Sequence, residues 1–189
     1  MSDLVKIPKT EISNSNKLCV IAGLNVLEDD QLTFKVAERL KKITEAQGNS
    51  FIFKASFDKA NRSSVDSYRG PGLEKGLEIF RELKKSDYQL ITDIHEISQV
   101  EQISEVVDII QIPAFLCRQT DLIKEACQSG KPLNIKKGQF LSPDQMKNII
   151  EKCSNFGNDQ IMLCERGTSF GYDNLVVDML GMSKLKTFN

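Results

Sequence analysis

Residues 50–72 read Ser50-Phe-Ile-Phe-Lys54-Ala-Ser-Phe-Asp-Lys59-Ala-Asn-Arg62-Ser-Ser-Val-Asp-Ser-Tyr-Arg-Gly70-Pro-Gly72. The opening Ser50 to Phe53 is an apolar run of β type, and Gly70-Pro71-Gly72 punctuates the chain before a helix-period segment begins. A strand therefore delivers a long polar loop to one end of a sheet. Alternation with period two puts Lys54 and Ser56 on the face that carries Ile52, while Lys59, Asn61, Arg62, Ser63 and Ser64 lie on the loop beyond. Loops are polar by default, and a solvated surface would account for part of this composition. A compact ammonium, a planar guanidinium fork and several hydroxyls in one stretch suit a phosphorylated, polyhydroxylated ligand better.

Outward from that stretch the same alternation of strand and helix recurs. Lys17 to Gly23 is a continuous apolar run of strand length, as expected of a strand buried on both faces of a parallel sheet, and it ends at Gly23, Asn25 and Glu28. Leu32, Val36, Leu40 and Ile43 then recur at helical spacing, with Gly48 at the C-cap. Leu73, Leu77, Phe80 and Leu83 predict a second amphipathic helix. Further strands are expected over 88–93, 108–112, 132–136 and 159–164, separated by helices near 98–105 and 119–128 and by one opened by the capping box Ser142-Pro143-Asp144-Gln145. Asn174 to Leu180 reads as a last short helix. Residues 1–17 form an N-terminal extension, read as a short strand or hairpin, and 18–189 form the main domain.

Six strands alternating with helices imply a parallel sheet whose C-terminal strand ends share one side. Asn25, Lys54 with Ser56, Asp93 with His95, Gln111, Lys136 with Lys137, and Glu165 with Arg166 each close a predicted strand. That is where a (β/α)₈ barrel of the TIM type builds its site. An open doubly wound sheet also binds ligands beyond its strand ends, but no Gly-x-Gly-x-x-Gly turn follows the first strand. The expected fold is an incomplete barrel with about six of eight βα units.

Composition narrows the partners. The 25 Lys and Arg balance 26 Asp and Glu, so a net charge of -1 offers no general attraction to nucleic acid or to an anionic membrane. The N-terminus lacks the apolar core of a signal peptide and no run is long enough to cross a membrane, so the cytoplasm is the expected compartment. Cys19, Cys117, Cys127, Cys153 and Cys164 are irregularly spaced, which argues for reduced thiols over a zinc site or disulfide frame. His95 is the sole histidine and cannot anchor a multi-histidine metal site by itself.

Lys54-Ala-Ser-Phe-Asp-Lys-Ala-Asn-Arg-Ser-Ser64 followed by Arg69-Gly-Pro-Gly72 resembles the signature of the 3-deoxy-D-manno-octulosonate 8-phosphate (KDO-8-phosphate) synthases, and the likeness runs from about Leu18 onward. The resemblance implies a transferase that condenses phosphoenolpyruvate with D-arabinose 5-phosphate, releasing phosphate, for lipopolysaccharide biosynthesis. It implies that Lys54, Ser56, Gln111, Arg118, Lys136 and Arg166 bind phosphoenolpyruvate and that Asn61, Arg62 and Ser63 hold the sugar phosphate. Asn25, Lys59, Asp93 and His95 would take the catalytic roles. Thr92-Asp-Ile-His-Glu96 matches the family pattern. Asn25 in Gly23-Leu-Asn-Val-Leu-Glu28 matches the branch that works without metal, where the other branch has a Cys, and no cofactor is expected. The resemblance further implies a homotetramer.

Six strands leave the barrel short, and the family's later strands carry further site residues. Three accounts stand open: a fragment of a longer chain, a truncated gene, or an open barrel whose edges call for a partner. The rival to a working synthase is a catalytically silent remnant that binds phosphorylated ligands or a partner subunit.

Overall fold

The apolar runs become the strands of one curled sheet. The structure, a computed structural model, describes residues 4–188. Strands β1 (Val5–Ile7) and β2 (Thr10–Ile12) form an antiparallel hairpin, with Val5 opposite Ile12. Then follow β3 (Cys19–Gly23), β4 (Ser50–Lys54), β5 (Leu90–Asp93), β6 (Ile109–Ile112), β7 (Leu133–Lys136) and β8 (Ile161–Cys164). These six lie side by side in sequence order, each parallel to the next. Helices α1 (Asp30–Ala46), α2 (Leu73–Lys85), α3 (Val100–Val106), α4 (Thr120–Gln128) and α5 (Met146–Asn155) make the crossovers. The result is an incomplete (β/α)₈-type barrel, as the alternation predicts.

Local chemistry sets the element ends. Asp29 caps α1 by accepting from the Leu32 amide at 2.7 Å, and Gly48, just past the helix, adopts φ 71°. Ser142 and Gln145 form the expected capping box, although the first turn is 3₁₀ before α5 continues it. Gly23 is required by close approach, because a Cβ there would lie 2.0 Å from the Lys54 carbonyl oxygen.

Two apolar layers result from the period-two alternation. Phe51, Phe53, Leu90, Ile110, Ile112, Leu133 and Ile135 pack outward against the helices. Ile52, Ile91 and Ile109 face inward, where Ile7 of the hairpin joins them. The hairpin thus closes the N-terminal end of the sheet, held by Thr10 Oγ1 donating to Gln89 Oε1 (2.7 Å) and Lys6 N donating to Gln160 Oε1 (2.8 Å). Above that apolar floor the inward positions become polar.

The segment after β8 departs from expectation. Asn174 to Leu180 is not one helix: β9 (Thr168–Phe170) and β10 (Asn174–Val176) form an antiparallel hairpin, and α6 (Met179–Leu185) begins only afterwards. Gly171 at φ 72° reverses the chain so that Phe170 pairs with Asn174. Asp178 accepts from the Leu180 amide at 3.0 Å and starts the helix there.

Candidate active site

Asp93, at the C-terminal end of β5, is the centre of a buried polar network. Its Oδ2 accepts from Ser56 Oγ at 3.0 Å and its Oδ1 from Gln111 Nε2 at 2.6 Å. Lys54 Nζ lies 3.2 Å from Oδ1 and Lys59 Nζ 3.7 Å from Oδ2. Both ammonium groups also donate to Ser56 Oγ, Lys59 at 2.7 Å and Lys54 at 3.3 Å. Behind Gln111, Asn134 Nδ2 donates to Gln111 Oε1 at 3.1 Å. Adjacent strands β4, β5, β6 and β7 thereby supply one continuous chain of hydrogen bonds.

The charges act on each other. Burial acts to raise the Asp93 pKa, but Lys54, Lys59, the Ser56 hydroxyl and Lys136 outweigh it and hold the carboxyl below its ordinary value. Burial pulls Lys59 down to about 8; Asp93 opposes this, while Lys54, Lys136 and Arg62 reinforce it as like charges. Burial raises the Cys164 thiol, opposed by Lys136, Arg166 and Lys54. Lys54 and Lys136 therefore act on both reporters, with Arg62 on the Lys59 side and Arg166 on the Cys164 side. The Lys136 side chain makes no hydrogen bond or ion pair among the described residues. A cavity of about 540 Å³ opens on the concave side, lined by Lys54, Gln111, Asn134, Lys136, Cys164 and Glu165 among others.

The long loop folds on itself. Arg69 grips Asp58 with two guanidinium nitrogens, Lys59 N donates to the Arg69 carbonyl at 2.6 Å, and Tyr68 Oη donates to the Leu27 carbonyl at 2.9 Å. Arg62 Nε donates to the Tyr68 carbonyl at 3.3 Å. Asn61, Arg62 and Ser63 are exposed, with the remaining Arg62 nitrogens unengaged among the described residues. Gly70, at φ 126°, permits the fold, since a Cβ would meet the Phe57 carbonyl at 2.3 Å.

Not every expected residue joins the network. His95 lies beyond the end of β5, its ring edge-on to Phe57 at 5.6 Å, and its buried Nδ1 has no hydrogen-bond partner. Burial lowers its pKa, against the opposing pull of Asp93 and Asp58. Asn25 is exposed beyond β3. Arg118 is exposed before α4, and its side chain makes no hydrogen bond or ion pair among the described residues. Arg166 Nη1 donates to Gln139 Oε1 at 3.3 Å. Among the described residues, no three His, Cys, Asp or Glu side chains gather as a metal site.

Two residues of the region escape the motif reading. Lys137 points away from the cavity and is fully buried: Nζ donates to the carbonyls of Gly138, Leu141 and Gly167 at 3.2 to 3.3 Å and pairs with Glu165 Oε1 at 3.6 Å. It holds the turn after β8 in place. Asn134 lies inside, and alternation could have found it, since it shares a face with Lys136.

Cations from several strands and one loop gather at the C-terminal rim of a parallel sheet, the rim of an incomplete barrel of the (β/α) class. The chain belongs to the DAHP synthetase I family, whose profile matches residues 5–189. That match begins earlier than the motif-based likeness from Leu18 and takes in the N-terminal hairpin. The chain is 54% identical over 184 residues to the 2-dehydro-3-deoxyphosphooctonate aldolase of Haemophilus influenzae (strain PittEE), covering 97% of this chain and 65% of that one. It is 55% identical over 184 residues to the protein of that name from Pasteurella multocida (strain Pm70), with the same 97% and 65% coverage. With that of Hahella chejuensis (strain KCTC 2396) it shares 55% over 185 residues, 97% of this chain and 66% of the relative. The chain spans just under two thirds of the length of these curated relatives. No helix among the described residues is long and apolar enough to cross a membrane.

Proposed function

We propose that the chain forms the substrate-binding part of a 3-deoxy-8-phosphooctulonate synthase. The reaction joins phosphoenolpyruvate, D-arabinose 5-phosphate and water to give KDO 8-phosphate and inorganic phosphate. Three carbons and five become eight through a bond from the enolpyruvate methylene to the sugar aldehyde. The observation that supports this most is that Lys54 and Lys136 line one cavity at the rim, with Lys59, Arg62 and Arg166 near enough to act on the same cluster and Asp93 paired to Lys54 and Lys59. Two phosphates and a carboxylate repel one another in a single pocket, and at an effective dielectric near 20 each close cation pair offsets roughly 4 kcal/mol.

In this reading Lys54, Ser56, Gln111, Lys136 and Arg166 take phosphoenolpyruvate, and Arg118 swings in over its phosphate. Asn61, Arg62 and Ser63 on the long loop take the sugar phosphate. Lys59, poised near 8, exchanges a proton with the aldehyde oxygen as it becomes a hydroxyl. Asp93 and His95 order the attacking water or sugar hydroxyls. Asn25 stands where the metal-dependent branch has its Cys ligand; a neutral amide is a weak metal ligand, and we assign the chain to the metal-independent branch. We place it in the cytoplasm as a homo-oligomer, a tetramer by family likeness.

A binding-only form is the second reading, since the cations and hydrogen-bond donors gathered at the rim account for holding a phosphorylated ligand without turnover. The test is phosphate release from the two substrates together. Release that requires both supports the synthase; background release with saturable phosphoenolpyruvate binding supports the binding-only form.

A further inference from the structure

We propose that Asn134 is a positioning residue, whose side-chain amide holds Gln111 in the one orientation that aims Nε2 at the Asp93 carboxylate. The inference rests on the synthase reading of this site and deepens it.

The argument is one of hydrogen-bond polarity. An ionised carboxylate only accepts, so Gln111 must present its NH₂ group to Asp93 Oδ1, at 2.6 Å. The Gln111 oxygen is then turned towards β7, where it needs a donor. Asn134 Nδ2 meets it at 3.1 Å. Gln111 is 2% exposed and Asn134 7%, so each amide meets little solvent although both line the cavity. Replacing Asn134 by an apolar side chain would leave the buried Gln111 oxygen without a donor while Asp93 still demands the NH₂ group, so the Gln111 side chain would swing away from β7 towards another donor. The contact between Nε2 and Asp93 Oδ1 would lengthen, and the network would lose the donor that keeps Asp93 fixed between Lys54 and Lys59.

The charged and titratable groups facing Asp93 are Lys54 from β4, Lys59 from the loop, Lys136 from β7 and His95 beyond β5. None is altered by a change at position 134, so a shift in Asp93 titration reports the Gln111 donor.

The experiment is carbon-detected NMR of the Asp93 carboxyl across acid pH, in the unaltered chain, in Asn134→Leu and in Gln111→Leu. The expected result is an upward shift of the Asp93 midpoint by about half a unit to one unit in both variants. At neutral pH, the Gln111 Nε2 protons should exchange about tenfold faster in Asn134→Leu, with the Ile110 and Ile112 amides unchanged as the control for folding. An unmoved midpoint in Asn134→Leu, or unchanged Gln111 exchange, overturns the proposal. Should Asn134→Leu fail to fold, the unaltered chain still decides: Gln111 Nε2 protons that exchange freely, or that ignore the Asp93 titration, contradict it. These readouts need no turnover. A chain that titrates as expected yet releases no phosphate sinks the synthase reading alone.

Discussion

From β4 to β7 the rim is a sealed network in which Asp93 is contacted by two lysines, a serine and a glutamine; past β8 the chain turns outward and exposes its apolar side chains. Tyr172 is fully exposed and Leu175 and Phe170 are more than half exposed, yet Lys137, which donates to the Gly167 carbonyl, is entirely buried. Inner strands with neighbours on both sides dehydrate their polar ends, so the charges there must be matched. Beyond β8 the chain is held by the buried Lys137 ammonium with the carbonyls around it, by Ser169 N donating to the Gln139 carbonyl at 3.0 Å, and by Leu185 packed into the core. Rigidity on the first side comes from charge pairing around the cavity. On the second the buried charge that anchors the chain is Lys137.

The largest effect should come from breaking that anchor. Lys137→Ala leaves Glu165 without its ion-pair partner and the Leu141 and Gly167 carbonyls without the ammonium donor, and should cost about 3–5 kcal/mol in urea unfolding. A loss under about 0.5 kcal/mol would mean that the β8 side is held by something else.

Next comes Asp93→Asn, which removes the counter-charge of two lysines. The folded carboxyl titrates below its unfolded value of 3.8, so its contribution to stability is present above that value and is lost as pH falls through the folded pKa. The gap between the unaltered chain and Asp93→Asn in urea unfolding should therefore shrink as pH is lowered through that window. A gap independent of pH would contradict the ion pairing.

Lys59 gives a smaller effect in an alkaline window, with stability again rising with pH. Its folded pKa of about 8 lies below the 10.5 of a free lysine, so the unfolded chain holds the extra proton between those values. The unaltered chain should gain stability relative to Lys59→Met as pH rises across that window. Anionic ligands should raise this pKa, so phosphoenolpyruvate binding near pH 8 should take up protons, read as a buffer-dependent heat in calorimetry.

The smallest effect is expected on the exposed hairpin. Tyr172→Ser should change the unfolding free energy by less than about 0.5 kcal/mol, since the side chain is fully exposed. A large loss there would show that the hairpin is not the loosely held region described.

The sequence was most legible where alternation and punctuation agree. Ile52, Lys54 and Ser56 do share the inner face, with Ser56 Oγ binding both lysines, because a strand's period is fixed by its backbone. The capping box at Ser142 was readable because its two hydrogen bonds involve only residues three apart. The stretch 174–180 misled because its apolar residues fit a helix as well as a strand, and the deciding features were the reversal at Gly171 and the cap at Asp178. Lys136 and Lys137 read alike in sequence, yet one faces the cavity without a partner and the other is wrapped in carbonyls, and tertiary closure after β8 makes that difference. Alternation carried past the end of β4 to Ser56 but did not place His95, two residues past β5, whose ring packs edge-on to Phe57 instead.

The central claim is that cations from separate strands act together on one anionic ligand. Calorimetric titration of phosphoenolpyruvate into the unaltered chain and into Lys54→Ala/Lys136→Ala tests it most directly. The account predicts saturable, salt-sensitive binding to the first and affinity at least about 30-fold weaker in the second. Equal affinity for both proteins would contradict it.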